Sequence, residues 1–340
     1  MCSSDLIGEK FANLKGNRYF VFPTQPDFRD SYKRVKKKVA ELETKIQPDV
    51  VYSITAPCYF TFKTKEVMRF TNPWVTHPNK YSWSTYGFAA RVKRWLYCMN
   101  QRRLMKAAHA FITQTETTKK GIMRVTGKPT EKVCVVSNVL PGVFKTMDTT
   151  PIREDNWINV ACVGNPVPHK NFDILPVVLL ELRNLGVENV RFHTTIPFDH
   201  PLSNKLEKQL MEMGMMENWK NHGRVSQKEL GAMYQRCQLC FLPTLLEVFS
   251  ASTVEAMFFN LPIVATDFPF NTEVLADSCL YYEPKNAKEA AMQFVKLIAD
   301  KTLQKELKAK MRFQLAKYDD YDKHFNAIKD FLFEVAHFNL

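Results

Sequence analysis

Short apolar runs bounded by Pro, Gly, Asn or Asp alternate along the chain with longer stretches in which apolar residues recur every three or four positions. The short runs predict buried strands over residues 18–22, 50–54, 67–70, 110–113, 133–137, 157–163, 190–194, 239–242 and 279–282, with another beginning at 263–265. The periodic stretches predict helices over 27–47, 88–108, 114–125, 172–185, 226–236, 254–259, 273–276, 287–299, 303–316 and 321–338. Val35, Val39, Leu42 and Ile46 form the apolar face of the first, and its outer face is basic. Ser226 and Glu229 spell a capping box. Strand, helix, strand is the unit of a parallel sheet, so the pattern predicts an α/β fold. Residues 145–156 are polar with one Pro and read as a linker, and 340 residues suit two domains. The expected division is 1–148, 156–317, and a C-terminal helix over 318–340.

The stretch 242–266 organises the rest. Pro243 and Thr244 stop a buried strand, and Glu247 follows in a loop. Ser250 to Thr253 supply N-cap types, residues 254–259 continue as a buried helix, Asn260 fits its C-cap, and Pro262 prevents continuation. Parallel sheets bind ligands at the carboxyl ends of their strands, where such loops sit. Free amides at the helix start suit a phosphate. Glu247 and, eight residues on, Glu255 add carboxylates for hydroxyl groups. A nucleotide sugar carries both chemistries. A surface Glu followed by a helix-start Glu favoured by the dipole gives the same local spelling.

Composition is ordinary for a globular chain, 45% hydrophobic and 24% charged. No apolar run approaches a membrane span and no secretory signal is visible, so the expected location is cytoplasmic. Charge is uneven. Residues 1–150 hold 26 Lys and Arg against 11 Asp and Glu, net +15, whereas residues 151–340 hold 21 against 24, net −3. The basic half reads either as solvated helix faces or as attraction to an anionic membrane surface or phosphate-bearing acceptor. Residues 88–108 interleave Arg91, Lys93, Arg94, Arg102 and Arg103 with Trp95, Leu96, Tyr97 and Met99. No zinc finger or RNA-binding signature accompanies the charge, and no nucleic-acid partner is expected. The eight Cys are scattered in apolar surroundings, as for reduced thiols, and the lone Cys237-x-x-Cys240 lacks a second ligand pair for zinc. Asp320-Tyr321-Asp322 reads as an N-cap, so no metal site is expected.

Glu247-x7-Glu255 followed by Ala256-Met257 and Leu261-Pro262-Ile263-Val264-Ala265 resembles the signature of retaining glycosyltransferases of the GT-B fold, the large family 4 or glycosyl transferases group 1. The resemblance extends over residues 18–340 and is most specific in the second half. It implies two Rossmann-like domains with parallel sheets facing a cleft, the first incomplete. The family's first Glu touches the transferred sugar, which assigns that role to Glu247. Glu255 then holds the ribose hydroxyls, and the backbone over Phe249, Ser250, Ala251 and Ser252 meets phosphate. Small residues usually follow the first Glu in the family; Val248 and Ser250 flank Phe249 here. Gly164-Asn165-Pro166-Val167-Pro168-His169-Lys170 matches the loop whose Arg and Lys neutralise the donor diphosphate. Lys170 matches the Lys, and Asn165 stands where Arg is usual. A Lys at a helix start opposes the dipole, which itself points to a compensating anion. Gly223-Arg224-Val225 corresponds to the base pocket, and His77 to a cleft histidine that contacts the donor sugar.

The implied activity is transfer of a sugar from a nucleoside diphosphate sugar to an acceptor hydroxyl with retention, for polysaccharide or lipid-linked glycan synthesis, with no cofactor or metal beyond the donor. The implied partners are that donor, a glycan or lipid-linked acceptor, and an anionic membrane surface met peripherally at its inner face. The alternatives are a nucleotide-sugar-binding protein without transferase activity and an epimerase on the same fold. Residues 1–6, MCSSDL, match the translated tail of a common sequencing adapter, so they are expected to be an assembly artefact with the natural N-terminus missing. No opening strand with a Gly-rich loop precedes the first helix, in keeping with that expectation.

Overall fold

A computed structural model describes residues 30–54, 57–153 and 155–338. Residues 1–6, the strand expected over 18–22 and the first residues of the helix expected from 27 lie outside the described residues. The chain forms two sheets, and all strand pairs in both are parallel. The first has the order β1 (Val51–Ser53), β2 (Glu66–Arg69), β3 (Ala110–Thr113), β4 (Val133–Val135). The second comprises β5 (Ile158–Cys162), β6 (Val190–Thr194), β7 (Trp219–Asn221), β8 (Leu239–Leu242), β9 (Ile263–Thr266) and β10 (Leu280–Tyr282), in the spatial order β10-β9-β8-β5-β6-β7.

The central strands β8 and β9 are covered on both faces, which is why they read as near-continuous apolar runs. Val160, Cys162, Phe241 and Val264 enter one core, together with Leu179, Leu182 and Phe294 from helices Leu175–Asn184 and Ala287–Ala299. The alternate residues Ala161, Cys240, Leu242, Ile263 and Ala265 enter a second core, with Tyr234, Val254 and Met257. This period of two is that of a strand buried on both sides. Cys237 and Cys240 are among these buried residues, and the seven described cysteines are free.

The first sheet is sandwiched likewise. Met68, Phe70 and Phe111 face one core. Val67, Ala110, Ile112 and Val136 face another, which is closed by Phe331 and Val335 of the last helix, Tyr321–His337. Asp320 caps that helix by accepting from the Lys323 amide at 2.8 Å. Asp320 thus occupies the N-cap position read from the D-x-D letters.

Several expectations need correction. Residues 71–83, where the pattern predicts no helix between the strand at 67–70 and the helix from 88, hold two one-turn helices, Pro73–Thr76 and Lys80–Trp83, capped by Asn72 and Asn79. The helix expected from 172 begins as a 3-10 turn, Phe172–Ile174, because Asn171 is left-handed at φ 59°. The helix placed at 273–276 runs over Pro269–Leu275. Helix Pro201–Glu212 and strand β7 had no counterpart in the pattern; β7 is a three-residue, half-exposed edge strand without an apolar run.

Candidate functional site

The chain leaves β5 for β6 and β7 on one side and later returns to β8, β9 and β10 on the other. The order reverses between β5 and β8, which pair through Val160–Leu239 and Ala161–Cys240. At such a switch point the two outgoing loops diverge and open a crevice. The loop after β5 carries Gly164, Asn165 and Lys170, and the loop after β8 carries Glu247, Phe249 and Ser250. The crevice holds about 1040 Å³. Gly164, Asn165, Lys170, Arg224, Val225, Glu247, Phe249, Ser250, Ala251, Ser252 and Glu255 all line it. Its opposite wall comes from the first half, from Thr71 to Trp74, Tyr86 and Arg94.

The two loops are stitched together. His169 accepts from the Leu245 amide at 2.7 Å, and the Asn171 amide group donates to the Pro243 carbonyl at 3.2 Å. This places Lys170 Nζ 2.5 Å from Glu247 Oε2, with only 16% and 20% of the two side chains exposed. Lys170 does not point away from the acids, as a surface lysine would. Burial pushes the Glu247 pKa up, but the Lys170 charge and hydrogen bond and the Val248 amide outweigh it, so the net direction is down. Glu247 is therefore an anion at neutral pH.

Glu255 lies one turn into helix Ala251–Phe258 and is 7% exposed. Tyr234, fully buried, donates to its Oε2 at 2.9 Å. Burial holds the Glu255 pKa above the usual carboxylate value despite that bond and the Lys170 charge. Ser250 occupies the N-cap without using its side chain as a cap; its Oγ lies 2.8 Å from Ser252 Oγ instead. The first amides of the helix are thus left to the cleft, where the dipole favours an anion. Gly223 is left-handed at φ 67°, and a Cβ there would collide with the Phe198 ring, so the turn that presents Arg224 and Val225 requires glycine.

His77 is placed differently from the expectation. It is not part of the cleft lining. Its Nε2 donates to the Glu247 backbone carbonyl at 2.7 Å, and its Nδ1 lies 2.8 Å from Thr76 Oγ1. A carbonyl only accepts, so Nε2 carries the proton. Burial lowers the His77 pKa, in keeping with a neutral ring. Two neighbouring contacts share this task. Asn79 Nδ2 donates to the Leu245 carbonyl at 2.7 Å, and Leu246 is fully buried in the first-half core with Met68, Phe70 and Trp74. The loop that carries Glu247 is plugged into the opposite half.

Tyr234, Leu246 and Arg94 escaped sequence reasoning. Each looks locally like a core residue or a solvated arginine, and only long-range contacts give it a place at the site.

The model of the family described as "Glycosyl transferases group 1" matches residues 146–314. A curated relative, "O-antigen chain mannosyltransferase RfbU" of Salmonella typhimurium, is 24% identical over 201 residues, 58% of this chain and 53% of the relative. A second, "N,N'-diacetylbacillosaminyl-diphospho-undecaprenol alpha-1,3-N-acetylgalactosaminyltransferase" of Campylobacter jejuni, is 26% identical over 251 residues, 69% of this chain and 63% of the relative. The chain thus matches between half and two thirds of the length of these relatives. Among solved structures, Anabaena HepE in complex with UDP superposes with a TM-score of 0.66 at 15% identity, covering 88% of this chain and 82% of HepE. The two facing parallel sheets are those of the GT-B fold. Over residues 146–314, just under half of its length, the chain is thus similar to the glycosyl transferases group 1 family.

Proposed function

We propose that the protein transfers a glycosyl unit from a nucleoside diphosphate sugar to a hydroxyl of a glycan or lipid-linked acceptor, with retention of anomeric configuration. One observation carries this reading: Lys170, Glu247, Glu255 and the uncapped start of helix Ala251–Phe258 converge on one crevice at the switch point of the sheet. A leaving diphosphate needs positive charge where its negative charge develops. Lys170 and the helix amides supply it, without a metal. Glu247 orients the sugar, and Glu255, fixed by Tyr234, receives the ribose hydroxyls. Arg224 and Val225 stand where the base would lie. His77 acts behind the wall, through the Glu247 backbone.

The acceptor class draws on the relatives, whose names specify O-antigen chains and an undecaprenol diphosphate acceptor. It draws also on helix Phe88–Met105, which exposes Phe88 (83%), Trp95 (53%) and Leu96 (57%) beside Arg91 and Lys93. Such a face suits peripheral docking on an anionic membrane surface from the cytoplasmic side. No helix among the described residues is long and apolar enough to cross a membrane.

A thermal-shift screen against UDP, GDP, ADP and their sugars should show stabilisation by one nucleotide series. A transfer assay with that donor and a lipid diphosphate acceptor should then show turnover, abolished in Glu247→Ala with nucleotide affinity mostly retained. Undiminished turnover in that variant refutes the role of Glu247. Binding without transfer or donor hydrolysis leaves a nucleotide-sugar-binding protein.

A further inference from the structure

The crevice holds three cations, Lys170 and Arg224 on the second-half wall and Arg94 on the first. Part of the Lys170 charge is offset by Glu247 at 2.5 Å, and Asn165 is uncharged. Arg94 is in an unusual state. Its guanidinium carbon sits 4.5 Å from the ring centroids of both Trp74 and Tyr86. One Nη donates to Tyr86 Oη at 3.0 Å, and the buried Nε has no acceptor. Among the described residues no carboxylate pairs with it.

A half-buried guanidinium held between two rings, with donors unused and no counter-ion, is costly unless an anion completes it. The planar fork matches a phosphate, and the rings fix its orientation beforehand. Trp74 also packs edge-to-face with His169, ring centroids 5.6 Å apart, and His169 precedes Lys170. Arg94 and the loop that bears Lys170 are thus linked through Trp74 and line the same crevice. The His169 pKa, lowered to about 4 chiefly by burial, also registers the charges of Lys170 and Arg94.

We propose that Arg94 binds an oxygen of a substrate phosphate in this crevice, supplying from the first half the second cation that Asn165 does not. This rests on the crevice being the nucleotide-sugar site described above. The phosphate belongs either to the donor diphosphate or to a lipid diphosphate acceptor.

Titration calorimetry on the full chain separates the outcomes. Wild type, Arg94→Lys and Arg94→Gln are titrated with inorganic pyrophosphate, with UDP, GDP and ADP, with the matching nucleosides, and with farnesyl diphosphate. Arg94→Gln is expected to weaken pyrophosphate and the preferred nucleoside diphosphate by about tenfold, with Arg94→Lys between, and to leave the nucleoside unchanged. A loss confined to farnesyl diphosphate places the phosphate on the acceptor. Affinities unchanged for every diphosphate overturn the proposal, as does an equal loss for the nucleoside, which would mark a structural role. A wild-type chain that binds the diphosphates but transfers no sugar overturns the transferase reading and leaves Arg94 standing. One that binds no diphosphate overturns both.

Discussion

The Nε2–H of His77 donates to the backbone carbonyl of Glu247 at 2.7 Å, from the opposite half of the molecule. The bond fixes the peptide that follows the carboxylate and not the carboxylate itself, so His77 is a positioning residue. Small displacements of an orienting group are expensive in turnover. His77→Ala should lower kcat by about tenfold to a hundredfold, with nucleoside diphosphate affinity changed by less than about twofold. His77→Gln, whose amide can donate to the same carbonyl, should recover part of the loss. A parallel collapse of nucleotide affinity in steady-state and binding measurements would restore the direct donor contact suggested by the sequence.

Lys170 and Glu247 respond to each other. Burial raises the Glu247 pKa and Lys170 brings it below its usual value, so removing the lysine reverses the direction. In the wild type the lowered pKa contributes stability above the unfolded carboxylate value, and that stability is lost as pH falls through the lowered value. In Lys170→Met the folded state holds its proton more tightly than the unfolded state, and stability is lost as pH rises through the raised pKa. The acid limb of kcat/KM should move to higher pH, and turnover at neutral pH should fall by about a hundredfold with the loss of the cation facing the leaving group. An acid limb that stays where it was would separate Glu247 from the pH profile.

Leu246 couples the loop of Glu247 to the first-half core, where it is fully buried with Met68, Phe70 and Trp74. Leu246→Ala should cost about 2–5 kcal/mol in urea unfolding, a range set by how far the site collapses around the cavity. Hydrogen exchange should quicken at β2 as well as in the loop that bears the substitution. A loss confined to the second half would mean that the plug does not tie the two halves.

The fold was legible where burial is two-sided. Leu239–Leu242 and Ala110–Thr113 coincide with their apolar runs, because a strand covered on both faces is mostly apolar, and buried polar residues such as Thr113 are hydrogen-bonded. Ser226 and Glu229 form the capping box that their spacing implies, at 2.7 and 3.3 Å. β7 was not legible, since an edge strand keeps Trp219–Asn221 half in solvent. Of the site, the residues on the two loops of the second half were legible, as each follows directly from a strand end. Arg94 and Leu246 were not. Their sequence neighbours describe a basic helix and an apolar loop, and their partners lie in the other half of the chain.

Tyr234 is the least visible of these and makes the most specific demand. Its hydroxyl donates to Glu255 at 2.9 Å in a fully buried position, while its ring stacks on Phe259 at 5.2 Å. Tyr234→Phe keeps the ring and removes the donor, so it isolates the bond. An unsatisfied buried carboxylate oxygen should cost about 1–3 kcal/mol, read as a lowered Tm. Burial already holds the Glu255 pKa high, and losing the donor removes an influence that lowers it, so the carboxyl should protonate at still higher pH. A protonated Glu255 accepts less well from ribose hydroxyls. Nucleoside diphosphate affinity should therefore fall several-fold, more at low pH than at high, with little change for the 2',3'-dideoxy analogue. Equal losses for the ribose and dideoxy ligands would show that Tyr234 shapes the pocket without acting through Glu255.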